Sequence, residues 1–283
     1  MVGRATEPVR SAFRREAGLF NRRRYSQAIG VLTDLFVRPD LTPRQRFEAL
    51  CRKAECLESL RRPRAAVELL RDVARSYPGE SAGFSLLGEY LYRVHEDMPA
   101  ALKALRRALR LAPRDPDSLW WYGQILQFGL ADFKKARRFY QAALEACPRY
   151  AAAQESLAQL CEAEGKWVEA IDWRKAHYRC AHPASDLVSL AELYLRLGNA
   201  KAARKYAQSA VRREPGSAAA WLACAKALAS LGKHARAAES LKRFMRLASP
   251  KTGPFVATRD LAFLEPIASR PQVQRLLTRL PVQ

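Results

Sequence analysis

The chain has 283 residues, 49% of them hydrophobic, and its 49 lysines and arginines exceed its 28 aspartates and glutamates, which gives a formal net charge of +21 at pH 7. No stretch of the sequence approaches the roughly 18 consecutive apolar residues of a membrane-spanning helix, and the first residues lack the apolar core of a secretory signal peptide. The composition therefore argues against a membrane-spanning or secreted protein, and we expect a cytoplasmic one.

One pattern of about 34 residues recurs along the whole chain. Small residues that would let two helices touch recur every 33 to 35 positions, at Ala54, Gly88, Gly123, Ala158, Ala191 and Ala225. A second series of alanines runs in parallel, at Ala28, Ala66, Ala101, Ala136, Ala170, Ala203 and Ala237. Proline cannot continue a helix, and it closes most units, at Pro78, Pro113, Pro148, Pro183, Pro215 and Pro250. A fixed period of this length indicates stacked helical units, each of which cannot bury its apolar face alone.

The repeat divides the chain into seven predicted units, which we place at residues 9–42, 43–80, 81–115, 116–150, 151–183, 184–217 and 218–250. Apolar residues within a unit follow helical rather than alternating spacing, as in Val67, Leu70 and Val73. Pro63 and Pro99 fall where second helices would begin, a position that tolerates proline. We expect almost no structure other than helix.

The two ends of the array depart from the pattern. The first unit is degenerate, because Glu16 occupies a position where a small residue is expected. The repeat stops at Pro250, and the remaining residues 251–283 contain an apolar helical pattern at about Gln272 to Leu280. Solenoids need an atypical end to cover the last apolar face, so we interpret residues 1–250 as the solenoid and 251–283 as its cap.

The spacing within a unit resembles the tetratricopeptide repeat (TPR). The clearest copy runs from Ala184 to Pro215, and its matching positions are Leu187, Leu190, Ala191, Tyr194, Gly198, Ala203, Ala207, Ala210 and Pro215. The resemblance implies an all-α fold, a right-handed superhelical solenoid of about seven TPR-like helix pairs with a C-terminal capping helix. It also implies that the first helix of each pair lines a concave groove and that the second helix faces outward.

In that arrangement the middle of the groove is rich in aromatic and amide side chains. Its candidate partner-binding residues are Glu55, Glu89, Tyr92, Trp120, Trp121, Gln124, Gln127, Phe128 and Gln159. Tryptophan and tyrosine are frequent binding anchors, although either tryptophan could instead pack between repeats, and we expect one of the two to face the groove. Groove acids of repeats two to five outnumber groove bases seven to two, so we expect a basic or apolar partner segment.

The second helices carry the positive charge instead. The candidate basic exterior includes Arg106, Arg107, Lys134, Lys135, Arg204, Lys205 and Arg243. Dispersed positive charge can give salt-dependent affinity for polyanions without any recognition motif. The alternative functions are therefore an electrostatic binder of nucleic acid or of an anionic membrane surface, and a basic subunit that docks onto an acidic protein in a larger complex.

Catalytic motifs are missing from the sequence. It contains no glycine-rich phosphate loop, no GxSxG and no HExxH. The six cysteines form no CxxC pair, and the short cluster of His177, Cys180 and His182 lacks further ligands for a metal. We therefore expect no enzyme activity, no cofactor and no metal, and interpret the chain as a scaffold or adaptor that binds a protein segment in its groove.

Overall fold

The computed structural model describes residues 7–94 and 97–248, and within these ranges it contains fourteen α-helices, one π-helical segment and no strand. The helices in the first half are α1 (Val9–Asn21), α2 (Tyr25–Phe36), α3 (Pro43–Ser59), α4 (Pro63–Ser76), α5 (Ser81–Arg93), α6 (Met98–Leu111), α7 (Pro116–Gln124) and α8 (Phe133–Ala146), with the π-helical segment at Ile125–Gly129. Those in the second half are α9 (Ala151–Ala163), α10 (Trp167–Ala181), α11 (Ala184–Arg196), α12 (Ala200–Arg213), α13 (Ala218–Ser230) and α14 (His234–Leu247). The all-α prediction is confirmed for these ranges, whereas the expected cap at 251–283 lies outside them.

Consecutive helices pack against each other as pairs, and each pair packs onto the next within its unit. The chain divides into two units, Met1–Pro148 and Arg149–Gln283. Unit one contains α1 to α8, and unit two contains α9 to α14. We call the odd-numbered helices first helices and the even-numbered ones second helices.

Two small residues of the repeat, Gly88 and Gly123, lie where the two helices of a pair meet. A Cβ atom added at Gly123 would lie 2.5 Å from Cε1 of Tyr140 on the facing helix, and one added at Gly88 would lie 2.5 Å from Cγ of Leu105. Carbon atoms in ordinary contact are 3.5–4.0 Å apart. Only glycine permits these two helix crossings as they stand.

Side-chain caps and prolines set several helix starts. Thr42 and Gln45 form a capping box at the start of α3, in which each side chain bonds a backbone N–H of the other residue. Pro63 is the first residue of α4 and Pro99 the second of α6, as the sequence predicts. Proline is tolerated there because the first N–H groups of a helix have no intrahelical partner.

The degenerate first repeat is held by an ion pair. Glu16 is only 2% exposed, and its Oε2 atom lies 2.8 Å from Nη1 of Arg52 on α3. Arg52 also pairs with Glu48 at 2.8 Å, and its guanidinium lies over the ring of Phe13 at 5.3 Å. This ion pair joins the first helices α1 and α3 of two neighbouring repeats.

Candidate functional site

Three aromatic rings form a connected cluster on the first helices α5 and α7. Tyr92 and Trp121 meet edge to face at 6.4 Å between ring centroids, and Trp120 and Trp121 do so at 4.6 Å. All three side chains are half-buried. Trp121 and Tyr92 also pack against the apolar core of unit one. Trp121 and Tyr92 thus combine core packing with partial exposure to solvent, and Trp120 is also partly exposed. The sequence predicted that one of the two tryptophans faces outward.

The amide side chains that the sequence predicted for the groove form hydrogen bonds with other side chains of the protein. Gln127 is 8% exposed, and its Oε1 atom accepts a hydrogen bond of 2.7 Å from the hydroxyl of Tyr140. Gln124 donates from Nε2 to the same hydroxyl oxygen at 3.1 Å. These bonds join α7 and the π-helical segment to α8, so Gln127 holds the helix pair together rather than facing solvent. Gln159 lies in unit two, where it is exposed and donates to Glu155 at 3.3 Å.

Exposed apolar side chains lie within and directly after the π-helical segment. Phe128 is 60% exposed, and Leu130 and Phe133 are also exposed. A π-helical turn inserts an extra residue relative to an α-helix, and such turns often occur at functional sites. The sequence pattern did not single out Leu130, which directly follows the π-helical segment, or Phe133, which is the first residue of α8.

An acidic pocket lies beside the aromatic cluster's first helix. It has a volume of about 520 Å³ and is formed by α1, α3 and α5. Among the described residues its charged lining groups are Glu16, Arg44, Glu48, Arg52, Glu55 and Glu80. Because Arg52 is already paired with Glu16 and Glu48, a surplus of negative charge remains.

Two side chains of this pocket have raised pKa values, and burial is the largest cause in both. Burial raises the pKa of the Cys51 thiol to about 12, and the nearby carboxylates of Glu55, Glu48 and Glu80 add to that increase. Glu55 retains access to solvent, yet the surrounding protein partly desolvates its carboxylate and raises its pKa. Arg52 lowers this pKa and Glu16 raises it, each by less than the desolvation does. A cation entering the pocket would lower the pKa of both groups.

The neighbouring acids Glu58 on α3 and Glu89 on α5 form ion pairs within the fold. Arg93 bridges two first helices, because its guanidinium lies 3.0 Å from Glu89 on its own helix and 2.5 Å from Glu58 on α3. Burial raises the pKa of the half-buried Glu89, and the bond from Arg93 partly counteracts this. Glu55 and Glu80 of the acidic pocket, by contrast, form no ion pair with any residue in the described ranges.

The predicted basic exterior is distributed over both units. Arg106, Lys134 and Lys135 in unit one are exposed, as are Lys205 and Arg243 in unit two, whereas Arg107 and Arg204 are half-buried. Lys135 pairs with Asp132 at 2.8 Å, and Arg243 approaches Glu239 at 3.9 Å. Part of this positive charge is therefore balanced locally.

A buried ionic network in unit two was missed by the sequence analysis. Asp186 on α11 is fully buried, and its two oxygens lie 3.1 Å from Nη1 of Arg174 and 2.7 Å from Nδ1 of His177. Arg174 also pairs with Glu162 at 2.7 Å. The charged residues come from three helices and could be matched only once their packing was known. His177 thus binds a carboxylate, and no group of residues suited to a metal occurs in the ranges 7–94 and 97–248.

None of the helices in the described part of the chain is both long enough and apolar enough to cross a membrane. No curated protein matches the sequence. Solved structures show the same fold. The crystal structure of PilW, a widely conserved type IV pilus biogenesis factor, is 18% identical and has a TM-score of 0.58, with 82% of this chain and 99% of PilW covered.

Two further structures extend the likeness. The C-terminal part of a TPR repeat-containing protein from Cytophaga hutchinsonii is 15% identical and has a TM-score of 0.60. The match covers 89% of this chain and 99% of that protein's chain. YrrB, described as a TPR protein with an unusual peptide-binding site, is 18% identical and has a TM-score of 0.50. The match covers 62% of this chain and 90% of the YrrB chain. At these identities the likeness concerns the fold alone.

The sequence itself matches a tetratricopeptide repeat profile in three segments, residues 86–127, 125–184 and 188–250. Together the segments span more than half of the 283 residues. The chain therefore belongs to the tetratricopeptide repeat family.

Proposed function

We propose that the chain is a non-catalytic scaffold whose first helices in unit one bind a basic segment of a partner protein that also carries apolar side chains. The tetratricopeptide fold supports protein–protein interaction in general. The observation that carries the finer proposal is the combination on α3, α5 and α7 of an unneutralised acidic pocket with a cluster of half-exposed aromatic rings.

The charge of the acidic pocket indicates the charge of the partner segment. The pocket around Glu55 has more carboxylates than arginines, and one of its two arginines is committed to internal ion pairs. A lysine or arginine entering it would stabilise the ionised form of Glu55 and lower its pKa. An acidic segment would meet like charge in a partly desolvated site, which costs several kcal/mol.

The aromatic cluster supplies apolar contact area. Edge-to-face packing fixes the rings of Tyr92, Trp120 and Trp121 before any partner arrives, so little side-chain entropy is lost on binding. Phe128 adds an exposed ring on the segment that follows α7. YrrB provides a precedent within the fold for binding a peptide.

The experiment is a selection of random peptides on the immobilised full-length chain, followed by titration of the selected peptides. We expect enrichment of peptides with lysine or arginine beside aromatic or aliphatic residues. The double variant Trp121→Ala and Phe128→Ala should weaken the selected peptides by at least about 2 kcal/mol, which is the scale of a hot-spot loss. Val168→Ala, which truncates an exposed apolar residue of unit two, is the matched control and should leave the affinity unchanged.

Charge neutralisation tests the acidic pocket separately. Glu55→Gln with Glu80→Gln should lower the affinity for basic peptides and leave the affinity for uncharged peptides unchanged. Enrichment of acidic peptides, or equal affinities for the aromatic double variant and the Val168→Ala control, would contradict the proposal.

A further inference from the structure

Unit one contains a second groove, which lies between the second helices α4 and α6 and has α5 as its floor. Its volume is about 620 Å³. The floor is apolar and consists of Ala74, Phe84, Leu87, Leu91, Ala100 and Ala104. The rim consists of five cations, Arg71, Arg75, Lys103, Arg107 and Arg110, and no carboxylate of the described residues lines the groove. We call it the α4–α6 groove.

Three of the rim cations are available to a ligand. Arg71, Lys103 and Arg110 are exposed, and none of them forms an ion pair with a carboxylate in the described parts of the chain. Arg75 pairs with Asp72, which is itself exposed. Arg107 has a structural role, because it donates to the carbonyl oxygen of Pro78 at 3.2 Å and lies over the ring of Phe84 at 5.8 Å. The groove thus combines an apolar floor with uncompensated positive charge on both walls.

The positions of the cations indicate the shape of the ligand. Lys103, Arg107 and Arg110 follow one side of α6, and a helix rises 1.5 Å per residue, so their backbone positions extend along about 10 Å of the wall. Arg71 and Arg75 lie on the opposite wall, on α4. A small anion with one charged group would neutralise one end of this rim. A helix with an apolar stripe, and with carboxylates three or four residues apart on both sides of it, would neutralise the whole length.

We propose that the α4–α6 groove binds an acidic amphipathic helix of a partner protein, with its apolar stripe on the floor and its carboxylates facing Arg71, Lys103 and Arg110. This site is separate from the proposed binding face on the first helices, because it lies between the second helices and requires a ligand of opposite charge. It does not depend on that function.

The same chain contains a matched groove of different charge. In unit two, the groove between α12 and α14 has α13 as its floor and a volume of about 430 Å³. Its charged lining groups among the described residues are Arg212, Arg236 and Glu239. The equivalent position in the repeat architecture thus carries fewer cations and an acid, which makes it an internal control for the effect of charge.

The test is fluorescence anisotropy on the full-length chain with three labelled peptides of 18 residues. The first is an amphipathic helix with leucines along one stripe and glutamates flanking it, the second has glutamine in place of every glutamate, and the third keeps the glutamates and has serine in place of the leucines. We expect the first peptide to bind and both others to bind at least about tenfold more weakly, because each lacks one of the two interactions, and tenfold corresponds to 1.4 kcal/mol.

Two double variants with equal changes in net charge locate the site. Lys103→Glu with Arg110→Glu should weaken the first peptide at least about tenfold, whereas Arg212→Glu with Arg236→Glu in unit two should change its affinity less than about threefold. Circular dichroism checks that each variant remains helical. Glu55→Gln with Glu80→Gln, whose side chains line the acidic pocket and not this groove, should not weaken binding of the first peptide, so failure of this proposal is distinguishable from failure of the function proposed above.

Several outcomes would overturn the assignment. Equal binding of the glutamate and glutamine peptides would remove the role of charge, and equal weakening by both double variants would show diffuse attraction rather than a site. Vesicles of phosphatidylserine and phosphatidylcholine, or a 20-nucleotide single strand, serve as competitors. If either binds in a manner sensitive to Lys103→Glu with Arg110→Glu while the acidic peptide does not bind, the groove recognises lipid or nucleic acid instead of a helix.

Discussion

Replacing Gly123 with alanine tests the helix contact on which the repeat is built. The added Cβ atom would lie 2.5 Å from Cε1 and 2.8 Å from Cδ1 of Tyr140, so either the ring or the facing helix must move by about 1 Å to restore ordinary contact at 3.5–4.0 Å. Tyr140 is fully buried, and its hydroxyl bonds Gln127 and Gln124. Movement of the ring therefore disturbs the bonds that tie the π-helical segment to α8.

Three contributions determine how far Gly123→Ala lowers the free energy of unfolding. Overpacking of a well-packed contact costs about 1–3 kcal/mol, and weakening of the two hydrogen bonds of Tyr140 adds about 1 kcal/mol. Alanine in place of glycine stabilises a helix interior by about 1 kcal/mol and offsets part of this. We expect Gly123→Ala to lower the free energy of unfolding of unit one by about 2 kcal/mol.

The assay is urea unfolding followed by circular dichroism, together with amide hydrogen exchange on α7 and α8, because repeat arrays can unfold in parts. Gly30→Ala on α2 is the control. Nothing lies within 4 Å of its added Cβ atom, so only the helix preference remains and the change should stabilise by up to about 1 kcal/mol. In a Tyr140→Leu background the ring is gone, and Gly123→Ala should be neutral or stabilising. An equal loss in both backgrounds would refute the contact as the cause.

Three further predictions concern other contacts. Ala191→Leu, at a fully buried position of unit two, should overpack the core and lower the free energy of unfolding by about 1–3 kcal/mol in urea melts; no change would mean that the position is not a close helix contact. Arg52→Ala should cost about 3 kcal/mol, because it leaves the carboxylate of Glu16 buried and unpaired, whereas Arg75→Ala removes only an exposed pair and should cost at most about 1 kcal/mol; equal losses would contradict the role of burial. The folded state raises the pKa of Glu55 above its ordinary value of 4.5 and so binds its proton more tightly than the unfolded chain, which means that its contribution to stability falls as the pH rises from about 4.5 through the raised pKa. Glu55→Gln should flatten that fall in urea midpoints measured between pH 4 and 8, and an unchanged pH profile would count against desolvation of this carboxylate.

The candidate site could be predicted only in outline. The sequence indicated aromatic groove positions, and Tyr92, Trp120 and Trp121 do form one cluster with partial exposure. Gln127 was expected in the same groove, yet it is buried against Tyr140. Gln127 lies within the π-helical turn at Ile125–Gly129, which ends this first helix, and no period in the sequence encodes such a local change.

The sequence by itself determined the repeat, the helical content and the close crossings, because each depends on residues a fixed distance apart in the chain or on the helix preference of a short segment. Pro63 at a helix start and Gly123 opposite Tyr140 are examples. The tertiary structure alone decided which charges meet and which remain unpaired. Glu16 and Arg52 are separated by 36 positions and are held together by helix packing, and the cations of the α4–α6 groove share one surface only because two second helices lie side by side over α5. A pattern of small and apolar residues fixes how neighbouring helices pack, whereas the partners of polar side chains depend on crossing geometry and rotamers that the pattern leaves open.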